Sequence, residues 1–130
     1  MISTKEKTGV LVPGLIATLV AVVATTLAAA LARIVGVDFQ IPDGGETIPL
    51  SGFAVMTGLF ALVGVGIAAA FRRWSARPAE LFVRTALALT AISLVPPLIA
   101  GAGAATAIAL IGLHLVAAAV MIPALSRSLR

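Results

Sequence analysis

The sequence predicts an all-α fold: an integral membrane four-helix bundle of two antiparallel helical hairpins, with N- and C-termini cytoplasmic. Three observations predict it. Residues 85–126 form a run of 42 positions without Asp, Glu, Lys or Arg. About 20 apolar residues cross a bilayer once, so this run is long enough to cross, turn and cross back. The chain is 61% hydrophobic and 11% charged, with mean hydropathy +1.18, whereas ordinary globular chains are about 45–50% apolar and 25% charged. Finally, the basic residues crowd to one side of the spans.

A length of 130 residues fits one domain, 1–130. The absence of cysteine excludes disulfides, thiolate metal sites and cysteine catalysis. A net charge of +4 would point to nucleic acid in a soluble chain; here the charge positions point to membrane topology, and no nucleic-acid partner is expected.

Residues 1–8 are short and polar, with Lys5, Glu6 and Lys7. The first helix covers about 9–34, and its 24 uncharged residues from Gly9 to Ala32 exceed the roughly 7–15 of a signal h-region. It is therefore expected to stay as an uncleaved span. Residues 37–50 form an outer, turn-rich loop with Pro42, Gly44, Gly45 and Pro49. Ser51 is the expected N-cap of the second helix, about 51–71. Arg72, Arg73 and Arg77 make a basic loop, with Trp74 at headgroup level.

The third helix covers about 80–98, with Glu80 near the positive end of its dipole and Arg84 long enough to snorkel. Pro96-Pro97 should kink or end it, and Gly101 to Gly103 supply a turn. The fourth helix covers about 105–124, followed by a short basic tail. With the N-terminus inside, Lys5, Lys7, Arg72, Arg73, Arg77, Arg84, Arg127 and Arg130 are cytoplasmic and only Arg33 is not. Eight against one is a strong positive-inside bias. The expected location is the cytoplasmic membrane, multi-pass.

Small residues mark helix interfaces in lipid, because they let backbones approach. Ala17, Ala21, Thr25 and Ala29 share a face of the first helix, and Ala54, Gly58, Ala61, Gly64 and Ala68 share one on the second. These faces are expected to form a seam between the two helices or a subunit contact. In the second hairpin, Ala86, Thr90, Ser93 and Pro97 should oppose Ala107, Ile111, His114, Ala118 and Met121.

The candidate ligand-binding residues are His114, Ser93, Thr90, Thr57 and Pro97, a polar patch near mid-membrane depth. His114 is the one to weigh, since an ionisable residue inside a membrane raises a functional hypothesis. Imidazole titrates near neutral pH and suits proton relay or general-base work. The bland alternative is one hydrogen bond to a third-helix hydroxyl or to a carbonyl freed by Pro96-Pro97. Metal binding lacks ligands, with no second His and no Cys, and a Ser93–His114 pair lacks an orienting acid. No catalytic residue is therefore assigned; His114 and Ser93 would carry the chemistry of an enzyme. Asp43 and Glu46 are too few for a calcium site, so no metal or cofactor is expected.

Ser93-Leu94-Val95-Pro96-Pro97-Leu98, Ala105-Thr106-Ala107, His114-Leu115-Val116-Ala117-Ala118 and Ile122-Pro123-Ala124-Leu125 resemble the signature of a family of small four-helix membrane proteins from high-GC Gram-positive bacteria. The outer loop carries a Pro-Gly-Gly-like segment as Pro42-Asp43-Gly44-Gly45. That family is a domain of unknown function, so the resemblance implies the four-helix fold and no reaction. The expected function is a non-enzymatic module that binds a lipid or apolar ligand or a partner membrane protein. A membrane isomerase or cyclase acting on a lipid or isoprenoid through His114, and a small oligomeric transporter, are the alternatives. Expected partners are membrane lipids, with a homo-oligomer or a partner membrane protein as further possibilities.

Overall fold

Helices pair every backbone amide within their own segment, as an uncharged span in lipid requires. The computed structural model describes residues 9–130. Lys5 and Lys7, which enter the charge count, lie outside the described residues. The elements are α1 (Leu11–Ile34), α2 (Leu50–Trp74), α3 (Pro78–Ser93), α4 (Val95–Ile99) and α5 (Ala104–Ser128). The fold is all-α, without strands among the described residues. Four helical spans, with α3 and α4 forming one from Pro78 to Ile99, are long and apolar enough to cross a membrane. This marks a multi-pass membrane protein.

Each helix end has a local cause. α1 closes in a Schellman turn, where Val37 N–H donates to Ala32 O and Gly36 N–H to Arg33 O, both at 3.0 Å. Gly36 takes φ +107°, a backbone conformation that glycine adopts freely. α2 starts one residue before the expected Ser51 cap. Pro49 is the N-cap residue, its extended φ −71° and ψ 156° setting the chain for the helix with no side-chain cap bond. α2 then runs on through Arg72, Arg73 and Trp74, whose cations suit the negative helix end.

α3 begins with Pro78 at a position where a missing N–H costs nothing. Glu80 accepts from Arg84 Nη2 at 2.8 Å and lies 3.6 Å from Arg77 Nη1. The third span breaks after Ser93 because Pro96 and Pro97 cannot donate to the preceding turn. α5 continues to Ser128 instead of ending near 124, carrying Arg127 in its last turn. Pro123 forfeits one ladder bond there, and the helix absorbs it.

Two apolar clusters make the core. One joins Val10, Ala17 and Ala21 to Ala61, Val65 and Ala68, to Phe82, and to Met121, Leu125 and Leu129. The other joins Ala29, Phe39, Phe53, Leu110 and Leu113. Of the small-residue faces, Ala17, Ala21, Thr25 and Ala29 of α1 and Ala61 and Ala68 of α2 are buried, while Ala54, Gly58 and Gly64 are half-buried. α1 also packs along α5, so it is shared between two neighbours and not confined to a hairpin with α2. Ala86 packs against the cluster that holds Met121, linking α3 to α5. No more than 28% of any span is buried, which leaves apolar surface suited to lipid.

Candidate functional site

Three polar residues, Thr25, Thr57 and His114, lie where their helices pass between the two clusters. On α1, Thr25 falls between Ala21 and Ala29; on α2, Thr57 falls between Phe53 and Ala61. On α5, His114 follows Leu113, seven residues before Met121. His114 is half-buried, and its Nδ1 lies 2.7 Å from the carbonyl of Leu110, one turn back on its own helix. Ser93 Oγ donates to Thr90 O at 2.6 Å, again within one helix. The expected bond from His114 to α3 or to a carbonyl near Pro96-Pro97 is thus replaced by a local one.

Local closure has a simple cause. A Ser, Thr or His on a lipid-embedded helix finds the carbonyl three or four residues back with no loop or partner to arrange. Among the described residues no hydrogen bond joins His114 to Ser93, Thr90 or Thr57. Ser93 and Thr90 are brought together, Thr57 is half-buried, and Pro97 is buried in α4. The hydroxyls of Thr25 and Thr26 are buried without a hydrogen-bond partner. No group of three His, Asp or Glu able to hold a metal occurs among the described residues.

A second feature is wholly apolar. An open groove of about 420 Å³ runs between α1 and α5, lined by Val12, Pro13, Ile16, Val20, Val120 and Ala124. It is shallow and open along its length. Every lining side chain is apolar, so nothing in the groove competes for a polar substrate. Val120 and Ala124 are one turn apart on α5, and Val12, Ile16 and Val20 step along α1 at intervals of four. Periodicity on each helix is visible in the sequence; that α1 lies beside α5 is not.

One end of the helices is closed by the loop between α1 and α2. Phe39, with φ +53°, is fully buried and stacks edge-on against Phe53 with centroids 4.8 Å apart. Gln40 and Thr47 pair, and Gly45 N–H closes the turn onto Pro42 O at 2.7 Å. Asp38 Oδ1 accepts from Gln40 N–H and from the Thr106 hydroxyl, each at 3.0 Å. Those bonds, the backbone one first, hold the Asp38 carboxyl below the usual carboxylate range. Asp43 N–H donates to Gly101 O at 2.8 Å, and Arg33 Nη2 donates to the Ile48 carbonyl. The residues around the turn are exposed as expected, but Phe39 and Asp38 make the loop a cap. A single aromatic in a polar loop was the available signal.

Comparison with known proteins returns one family. Residues 5–130 match the model described as a family of unknown function (DUF6069). The chain matches no curated protein and no solved structure.

Proposed function

The chain belongs to the family of unknown function DUF6069, and on that premise we propose a non-enzymatic membrane module that holds an apolar ligand, the tail of a lipid, in the α1/α5 groove. In this reading the helices form an antiparallel four-helix bundle in the cytoplasmic membrane, both termini inside. The first apolar cluster supports the antiparallel order, since it gathers the start of α1, the end of α2, the start of α3 and the end of α5. The charge asymmetry supports the orientation, because those same ends carry Arg72, Arg73, Arg77, Arg84, Arg127 and Arg130.

The observation that carries the ligand reading is the groove's wholly apolar lining at the lipid-facing side of two spans. Local closure of His114 and Ser93 onto their own helices favours a positional role for both over chemistry. The test compares purified wild type with His114→Ala and Ala124→Phe, by thermal melting and by mass spectrometry of co-purifying lipids. His114→Ala should lower stability by about 1 kcal/mol or less, the worth of an ordinary hydrogen bond, and leave the bound lipids unchanged. Ala124→Phe, which places a ring in the groove and crowds the core that Ala124 packs against, should melt below wild type by an overpacking cost of about 1–3 kcal/mol, stay folded and lose bound lipid. Lipid lost from His114→Ala and retained by Ala124→Phe would move the site to mid-membrane and reject the groove.

A further inference from the structure

We infer that the groove's occupant is an anionic phospholipid, whose phosphate is held by Arg127; this rests on the groove reading above. On α5, Val120, Ala124 and Arg127 follow each other at steps of four and three, so they share one stripe. By helix rise, Arg127 lies about 10 Å along the axis from Val120, which places a cation at the end of an apolar channel. An acyl chain along α1 and α5 would deliver its headgroup to that guanidinium. Planar guanidinium suits phosphate, with parallel donors meeting two oxygens.

Charge complementarity identifies the headgroup. Arg127 is exposed and makes no salt bridge among the described residues, so its charge is available. The carboxylate at this end among the described residues, Glu80, is already engaged by Arg84 and Arg77. Arg130 is also exposed, but it lies beyond the end of α5 at Ser128. It serves as the same-charge comparison for Arg127. A zwitterionic headgroup would bring a second cation toward Arg127; an anionic one brings none.

The experiment is native mass spectrometry of the full chain titrated with phosphatidylglycerol and with phosphatidylcholine of identical acyl chains, for wild type, Arg127→Gln, Arg127→Lys, Arg130→Gln and Ala124→Phe. Wild type should prefer phosphatidylglycerol. Arg127→Gln should cut that preference about fivefold, the effect of one basic residue near an anionic surface, while phosphatidylcholine binding persists. Arg127→Lys should restore most of the preference, and Arg130→Gln, with the same net charge as Arg127→Gln, should keep it. Ala124→Phe should weaken both lipids.

Equal losses in Arg127→Gln and Arg130→Gln would reduce the effect to bulk charge and overturn the assignment of Arg127. An unchanged preference in Arg127→Gln with lipid lost in Ala124→Phe would overturn the headgroup and leave the groove standing. Undiminished binding of both lipids to Ala124→Phe would remove the groove itself. Displacement of phosphatidylglycerol by soluble glycerol phosphate would show a free-anion site and overturn the lipid assignment. Thermal melts of each variant, expected near wild type for the arginine changes because both side chains are exposed and lower for Ala124→Phe because Ala124 packs against the core, separate lost binding from lost fold.

Discussion

At Gly14 two helices come closer than a methyl group allows. A Cβ there would lie 2.8 and 2.9 Å from the two Val65 methyls and 3.4 Å from Leu125. Val65 is short and stiff at χ1, so it cannot swing away. Alanine has the better helix propensity by up to about 1 kcal/mol, yet overpacking a tight contact costs about 1–3 kcal/mol, and overpacking wins. Gly14→Ala should therefore melt below wild type. Gly66 has open space around the same atom, so Gly66→Ala should be neutral or stabilising. Equal shifts in both variants, by thermal melting in one detergent, would refute the close-packed seam. The contact also explains why α1 holds its place: Gly14 admits α2 and α5 together, and Thr18 bonds back to its carbonyl at 2.8 Å.

Among the elements, the α1–α2 loop is held by polar ties over an aromatic plug. Its tie through Asp38 gives stability a pH dependence whose sign follows from the bonds. Acceptance from Gln40 N–H and Thr106 favours the charged carboxylate, so the folded group is more acidic than its ordinary 3.8. Its contribution is complete above that ordinary value and is lost as pH falls through the lower folded value. Because Asp38 is exposed, solvent screens the effect and keeps it small. Thermal melts between about pH 6 and pH 2 should show an acid-side decline in wild type that is reduced in Asp38→Asn. An Asp38→Asn profile parallel to wild type down to the lowest pH would remove Asp38 from the account.

For the whole molecule, the prediction concerns direction across the membrane. The chain has no cysteine, so introduced ones report without background. Glu46 and Ala76 are both exposed and lie in loops at opposite ends of α2. With both termini cytoplasmic, Glu46→Cys should react with an impermeant maleimide added to spheroplasts, and Ala76→Cys should react only after lysis. The reverse pattern would invert the topology. It would also move Arg127, and with it the proposed headgroup site, to the outer leaflet.

Hydropathy and charge determined much by themselves, because both belong to single segments. The 42-residue uncharged run, the break before Pro96 and the basic ends of the spans needed no knowledge of neighbours. Helix pairing was only partly legible. Ala17, Ala21 and Ala29 announce a packed face, but alanine is so frequent in this chain that the face does not name its partner. The tertiary structure decided that α1 lies against both α2 and α5, and so created the groove. It also decided that Phe39 turns inward, that Asp38 reaches Thr106 across 68 positions, and that His114 bonds to Leu110. The first two depend on which surfaces fit together in three dimensions. The third depends on a carbonyl of the same helix being nearer than any neighbour's donor or acceptor.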